Sequence, residues 1–375
     1  MRPKMIQAGK PVTGQHFIGR NAEIGLMTSL IELGQSIVLI APRRFGKTSL
    51  VREVLRKLKS AGAYTAYVDI FACPAIGSLS AQITGAVLKN HKLDRAFMKS
   101  RKSALEMMKN IRLRAEIEQF EFMLGFAENR INEWGLLQDS IQFIDRFAGR
   151  HNRSIVCAFD EFGDIGKLDG EKMIKLFRSG IQNHENAVYI FSGSYESIMN
   201  SMFIRRNAPF FRFARIIHLG NIEKAEFLKY FRKTLDSFAI PHKNAYLDNI
   251  LDFTGGHPYY SQLALQTIII QFLLSGEVIG LEKIKESMLN AELGYLEKSW
   301  EDISSSRENM KVLLAVAGRG RDIYSALKGE NINVYRGLSA LISCGVITRV
   351  HSGLYRLTDP LFGYWLFRNF RGELV

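Results

Sequence analysis

Gly46, Lys47 and Thr48 in one loop, with Asp160 and Glu161 far downstream, have the types and order that phosphate chemistry needs. Hydrolysis of a γ-phosphate requires a bound metal and an oriented water. Gly46 lets the backbone approach an anion with no side chain in the way. Lys47 offers a charge to the β- and γ-oxygens, and the Thr48 hydroxyl can complete a Mg²⁺ shell. Asp160 is placed to hold the rest of that shell, and Glu161 to polarise the attacking water. The stretch Ala41-Pro42-Arg43-Arg44-Phe45-Gly46-Lys47-Thr48-Ser49 follows the pattern G-x-x-x-x-G-K-[ST] except at its first position. Alanine there requires the loop to turn with an ordinary φ.

The elements that must position these groups are legible around them. Ile37 to Ile40 is a short apolar run, read as a buried strand, and a helix-forming segment runs from Gly46 through Leu58. The loop and the helix N-terminus then aim backbone N–H groups and a positive dipole end into one concavity. A second strand covers 63–69. A third, 154–161, ends in the two acids, and a fourth, 187–194, ends in Ser192-Gly193-Ser194. Ser194 is the first choice for reaching the γ-phosphate or the lytic water, with Ser192 next; a plain turn role is the alternative for either. Arg212 and Arg215 adjoin a fifth strand, 215–219. They can serve a phosphate in cis, serve a neighbour's nucleotide in trans, or form an ion pair at the sheet edge. His257 precedes a helix starting at Pro258; it is either a contact to phosphate or its metal-bound water, or a structural histidine. Strands alternating with helices predict a parallel sheet covered on both faces, with ligands at the strands' carboxyl ends.

A chain of 375 residues predicts two or three domains. Residues 1–15 read as a flexible leader. Residues 16–220 read as an α/β core, interrupted at about 91–132 by an inserted helical hairpin. Residues 221–304 are all-helical. In 305–375, helical patterns at 308–317, 322–328 and 332–344 precede two short strands, which describes a winged helix-turn-helix. Cys73, Cys157 and Cys344 form no C-x-x-C pair, so neither a disulfide framework nor a zinc site is expected and a reducing cytoplasm is the natural compartment. No apolar core of a secretory leader follows Met1. The most apolar stretch, Leu263 to Leu274, is too short to span a bilayer and reads as a buried helix. The net charge of +13 is concentrated. Lys89 to Arg114 holds nine Lys/Arg against Asp94 and Glu106, and 305–375 holds ten against five acids. Such blocks suit an acidic partner, nucleic acid first and anionic membrane second, or else a solvated face.

Taken together, FIGR (Phe17, Ile18, Gly19, Arg20), APRRFGKTSL (41–50), FDEF (159–162), SGS (192–194), PFFRFARIIHL (209–219) and TGGHP (254–258) resemble the archaeal-type ATPases. These are P-loop proteins related to the AAA+ and STAND classes. Tyr355 to Phe362 with Trp365 is similar to the end of that family's winged-helix domain. The resemblance implies a P-loop NTPase core with a five-stranded parallel sheet, a helical lid and a winged helix, working with ATP and Mg²⁺ as a nucleotide-dependent molecular switch. It implies that 41–49 hold the nucleotide, that Phe17 to Arg20 lie near the adenine, and that His257 is a lid contact to it. The rival is a DNA-binding ATPase like the origin-recognition AAA+ proteins, in which ATP licenses docking of the winged helix on double-stranded DNA. Tyr335, Arg336, Ser339 and Ser343 would then be the exposed positions of the recognition helix. A homo-oligomer is also compatible with the resemblance.

Overall fold

The computed structural model describes residues 8–90, 133–194 and 196–373, so the expected hairpin at 91–132 lies outside the described residues. The chain runs α1 (Asn21–Glu32), β1 (Ile37–Ile40), α2 (Lys47–Ser60), β2 (Tyr64–Asp69), α3 (Ile76–Leu88), α4 (Glu133–Arg150) and β3 (Ile155–Asp160). It continues with α5 (Gly166–Ile181), kinked at Asp169 and Gly170, then β4 (Ala187–Gly193), α6 (Glu196–Phe203) and β5 (Arg215–His218). The strands form one parallel sheet in the order β2-β3-β4-β1-β5. β1 and β3 are buried along their length, and apolar up to Asp160, because both sheet faces are covered. α1 and α2 close one face through Met27, Val51 and Val54 against Leu39 and Ile190. α3, α4 and α5 close the other through Leu79, Ile141 and Phe177 against Val38 and Phe159.

The acidic end of β3 is anchored by aromatic packing. Phe162 is fully buried, with its ring 4.6 Å from that of Phe191 and 5.7 Å from that of Phe210. Phe159 stacks on Phe191 at 6.0 Å. Removing one such ring from a filled core costs about 3–5 kcal/mol, so Asp160 and Glu161 have little freedom to shift.

Beyond β5 the chain is helical: α7 (Lys224–Ser237), α8 (Asn244–Thr254), α9 (Pro258–Ser275) and α10 (Leu281–Ser304). Then follow α11 (Arg307–Gly318), α12 (Ile323–Ala326) and α13 (Val334–Ser343), an antiparallel hairpin of β6 (Ile347–His351) and β7 (Leu354–Leu357), and α14 (Pro360–Asn369). These are the helices and the hairpin, in the order expected of 305–375, with one further helix closing the chain; the two C-terminal segments keep the expected names, lid and winged helix. The lid and the winged helix share one apolar core, which runs from Phe227 and Leu265 through Met288 to Leu313 and Leu366. The Leu263 to Leu274 stretch is not wholly buried. Ala264, Leu265 and Ile268 face the core, whereas Leu273 and Leu274 on the last turns are 65% and 77% exposed. Among the described residues, no helix is long and apolar enough to cross a membrane.

The crossover from sheet to lid packs against a glycine pair in the turn between α8 and α9. Gly255 and Gly256 both have positive φ, +58° and +71°. Ile222 donates its N–H to the Gly256 carbonyl at 2.9 Å. A Cβ at Gly256 would lie 2.2 Å from the Ile222 carbonyl oxygen, whereas one at Gly255 would meet only Asn221 at 3.9 Å. Gly255→Ala is therefore expected to lose about 1 kcal/mol of stability, the cost of the left-handed conformation. Gly256→Ala should lose about 3 kcal/mol or more, because backbone must move as well. Equal losses in thermal unfolding of the two variants would refute this account of the crossover.

Candidate active site

The P-loop joins β1 to α2. Ala41 keeps an ordinary φ, as the departure from glycine requires, and the positive φ values fall instead at Arg44 (+68°) and Gly46 (+83°). The Lys47 side chain is buried and turned back on its own loop. Its ammonium donates to the carbonyls of Ala41 at 2.9 Å and Pro42 at 3.0 Å, and to the Ser194 hydroxyl at 2.7 Å. All three donors of the ammonium are therefore used. Burial pushes its pKa down to about 8, against the pull of Glu161 and Asp160.

β3 brings its carboxylates directly beneath this loop. Asp160 accepts from the Thr48 hydroxyl at 2.6 Å, the Tyr67 hydroxyl at 2.7 Å, the Ser192 hydroxyl, and the Glu161 N–H at 3.2 Å. Glu161 takes a left-handed conformation, φ +49°, which turns its side chain toward β4. There it accepts from the Ser194 hydroxyl at 2.6 Å and the Ser194 N–H at 3.2 Å. The two serines thus divide the work: Ser192 fixes Asp160, and Ser194 bridges Lys47 to Glu161. The division follows from strand register, since Ile40 at the end of β1 pairs with Gly193 between them.

Lys47, Thr48, Tyr67, Asp160, Glu161 and Ser194 line a cavity of 460 Å³ at the carboxyl ends of the strands, as the sheet topology predicts. Arg43, Arg44, Gly46 and Ser49 also line it. The Thr48 hydroxyl and the Asp160 carboxylate lie side by side, a hard oxygen pair suited to Mg²⁺. Among the described residues no three His, Cys, Asp or Glu side chains cluster as a metal site. Thr48 and Asp160 would hold such an ion by one or two protein oxygens, with phosphates and water completing its shell. When bound, such an ion supplies positive charge to the phosphate oxygens.

Other expected residues have different places. Phe17 and Ile18 line a narrow extension of the cavity on the side of α9. Gly19, φ +60°, lies close under Ile222 and Glu226. Arg20 is buried, and its guanidinium donates to Glu23 at 2.8 Å and to the Gly220 carbonyl at 2.5 Å, clamping α1 to the crossover. Phe45 is buried with its ring 4.6 Å from that of His257. His257 itself does not line the cavity. It caps α9, its Nδ1 accepting from the N–H groups of Tyr259 and Tyr260 at 3.2 and 3.4 Å. Burial, with Arg44 nearby, pushes its pKa down to about 3, so the ring is neutral. Arg215 pairs with Ile37, at the start of β1 and the opposite end of the strand from the cavity. Arg212 is exposed on the preceding loop, over the Phe211 ring. Neither lines the cavity, which lies at the carboxyl ends of the strands whereas these two precede or open β5; the roles in trans and at the sheet edge remain.

Several site residues carry no motif. Tyr67 reads in the sequence only as a strand former, yet it holds Asp160 through the β2–β3 pairing. The described part of the leader is fixed rather than loose: Val12 N–H donates to Ser49 Oγ at 3.0 Å and Gly14 N–H to Glu53 at 2.9 Å. Gly9 through Val12 consequently form one wall of the cavity. Arg44 is held by the lid, in an ion pair with Glu292 at 2.6 Å. Its guanidinium lies 4.3 and 4.4 Å from the ring centroids of Tyr259 and Tyr295.

Strand order, phosphate loop and paired carboxylates define a P-loop NTPase. Residues 17–263 match the ATPase domain family found predominantly in Archaea, and the chain belongs to that family. In structure it is similar to a Walker-type ATPase of Pyrococcus abyssi, with a TM-score of 0.69, 16% identity, and 96% of this chain and 99% of that one covered. It is also similar to the ORC2 protein of Aeropyrum pernix in its ADPNP–ADP complexes, with a TM-score of 0.55, 13% identity and 96% of each chain covered. At these identities the likeness is one of fold. Among curated proteins, none matches the sequence.

The cavity chemistry generates two expectations. A phosphate needs the Lys47 charge, and above pH 8 the free protein gives that proton up. Nucleotide affinity should therefore fall as pH rises, approaching about tenfold per unit beyond pH 8. Titration from neutral to alkaline pH measures it, and a flat profile would show that Lys47 keeps its proton. Lys47→Ala should bind weakly and lose the pH dependence. Glu161→Gln should still bind nucleotide but turn over about 10²-fold more slowly or worse, since an amide cannot accept the water's proton. Unchanged phosphate release in that variant would remove Glu161 from the mechanism.

Proposed function

We propose that the chain hydrolyses ATP with Mg²⁺ and acts as a nucleotide-dependent switch. The carrying observation is that both C-terminal modules touch the phosphate loop itself. The lid holds Arg44 through Glu292 and two tyrosines. The winged helix packs Gly345 on Pro42, where an added Cβ would sit 3.7 Å from the proline ring. The two modules are joined in turn by the Tyr260 hydroxyl, which donates to Asp359. A phosphate entering the loop must compete for Lys47 with the carbonyls of Ala41 and Pro42, and so disturbs the strip of loop on which both modules rest. Thr48 and Asp160 would hold the metal, Glu161 would accept the water's proton, and Ser194 would relay the position of one to the other.

A second reading places duplex DNA on the winged helix. It is favoured by Tyr335, Arg336 and Ser339, exposed on α13, and by Arg349 and Arg356, exposed on the hairpin. Ser343 is half-buried and its hydroxyl turns to the Ala340 carbonyl, so it is the weakest of the expected contacts. The basic segment Lys89 to Arg114 adds charge, although 91–114 lie outside the described residues. On this reading log affinity for DNA falls with log salt at roughly −0.9 per phosphate neutralised. Reversing Lys99, Arg101 and Lys102 to Glu should flatten the slope by about three units. ATP should tighten DNA, and DNA must then tighten ATP by the same factor. If neither ligand changes the other's affinity, DNA licensing is excluded. If hydrogen exchange across 255–262 and 292–296 is also the same with ATP, with ADP and with neither, the switch itself is excluded.

A further inference from the structure

The narrow extension of the cavity runs between the FIGR segment, the phosphate loop and α9. Its walls are mainly apolar, from Val12, Phe17, Ile18, Phe45, Ile222 and Pro258. It begins beside Gly46 and Ser49, at the start of α2, so a nucleotide with its phosphates on the loop has its base on this side. Three polar side chains border it. The Arg20 guanidinium is committed to Glu23 and the Gly220 carbonyl, and the Ser49 hydroxyl accepts the Val12 N–H. The third, Gln262, stands one turn into α9 and borders both the extension and the main cavity. Its amide is half-buried and hydrogen-bonds to none of the described residues.

Resting on the ATPase reading above, we infer that Gln262 reads the nucleobase and makes the site selective for adenine. A glutamine amide offers a donor and an acceptor side by side. Adenine presents the complementary pair on one edge, the N7 acceptor and the N6 donor. Guanine presents two acceptors there, N7 and O6, so the glutamine carbonyl would face O6 with no hydrogen between them. The apolar walls supply stacking surface but cannot tell the two purines apart. The extension measures 40 Å³, room for little more than a water molecule. A purine therefore enters only as Pro258 and Gln262 part from Phe17 and Ile18, so base recognition and displacement of α9 are one event.

The test is equilibrium binding of ATP, GTP and inosine triphosphate to the full chain, alongside Gln262→Leu and Gln262→Glu, with thermal melts confirming that both variants fold. The wild type should prefer ATP to GTP by about tenfold to a hundredfold, the worth of one bidentate pair. Inosine triphosphate shares the O6/N7 edge of guanine and should be rejected with GTP. In Gln262→Leu the ATP:GTP ratio should collapse toward one. In Gln262→Glu, which keeps the acceptor and loses the donor, ATP affinity should fall about tenfold. A wild-type ratio retained in both variants, or inosine triphosphate bound as tightly as ATP, would overturn the assignment while leaving the ATPase reading intact. A wild type that binds no nucleoside triphosphate would instead overturn the ATPase reading, and this assignment with it.

Discussion

A buried ammonium must find an acceptor for each of its hydrogens or lose its proton. Lys47 meets that constraint with two carbonyls of its own loop and one hydroxyl from β4. The loop must curl for Ala41 and Pro42 to face inward, which puts positive φ at Arg44 and Gly46. β4 must lie beside β1 for Ser194 to arrive, and β3 beside β4 for Glu161 to stand behind that serine. The strand order can be read as the arrangement that surrounds one lysine with acceptors.

Arg44 shows how the loop's geometry is shared with the lid. A non-glycine residue in the left-handed region carries strain of about 1–3 kcal/mol. Here the conformation aims the guanidinium away from Lys47 and into Glu292, Tyr259 and Tyr295. Burial opposes its charge, and Glu292, with smaller contributions from Tyr259 and Tyr260, outweighs that cost and holds the guanidinium protonated. Tyr259 also donates to Glu292, so all members of the cluster are paired. The phosphate loop and the lid are in this sense one electrostatic unit, although a hydrophobic boundary at the crossover separates their cores.

What could be read from the sequence is what is local. The apolar strands, the phosphate loop between β1 and α2, and the acid pair at the end of β3 are each written within a few consecutive residues. Contacts made by strand register or by distant segments left no trace. Tyr67 reaches Asp160 only because β2 pairs with β3, and the polar leader looked loose because its anchors, Ser49 and Glu53, lie more than thirty residues on. His257 shows a third kind of difficulty. A histidine before Pro258 has the same spelling whether it caps a helix or meets a ligand, and only burial of the ring separates the two. For Arg215 the sequence left cis, trans and sheet-edge roles open, and strand register narrows them: it opens β5, away from the carboxyl ends where the cavity lies.

The common core of the helical module and the winged helix has a consequence for how such a chain can vary. α10 contributes Met288 and Leu296 to the same apolar mass as Leu313, Leu338 and Trp365. Cutting the chain after α10 would strip that helix of its cover and leave an adhesive surface in place of a finished domain. The winged helix alone is therefore not a transferable part: its core is the core of the helices before it, and even Ile18, from ahead of the sheet, belongs to it.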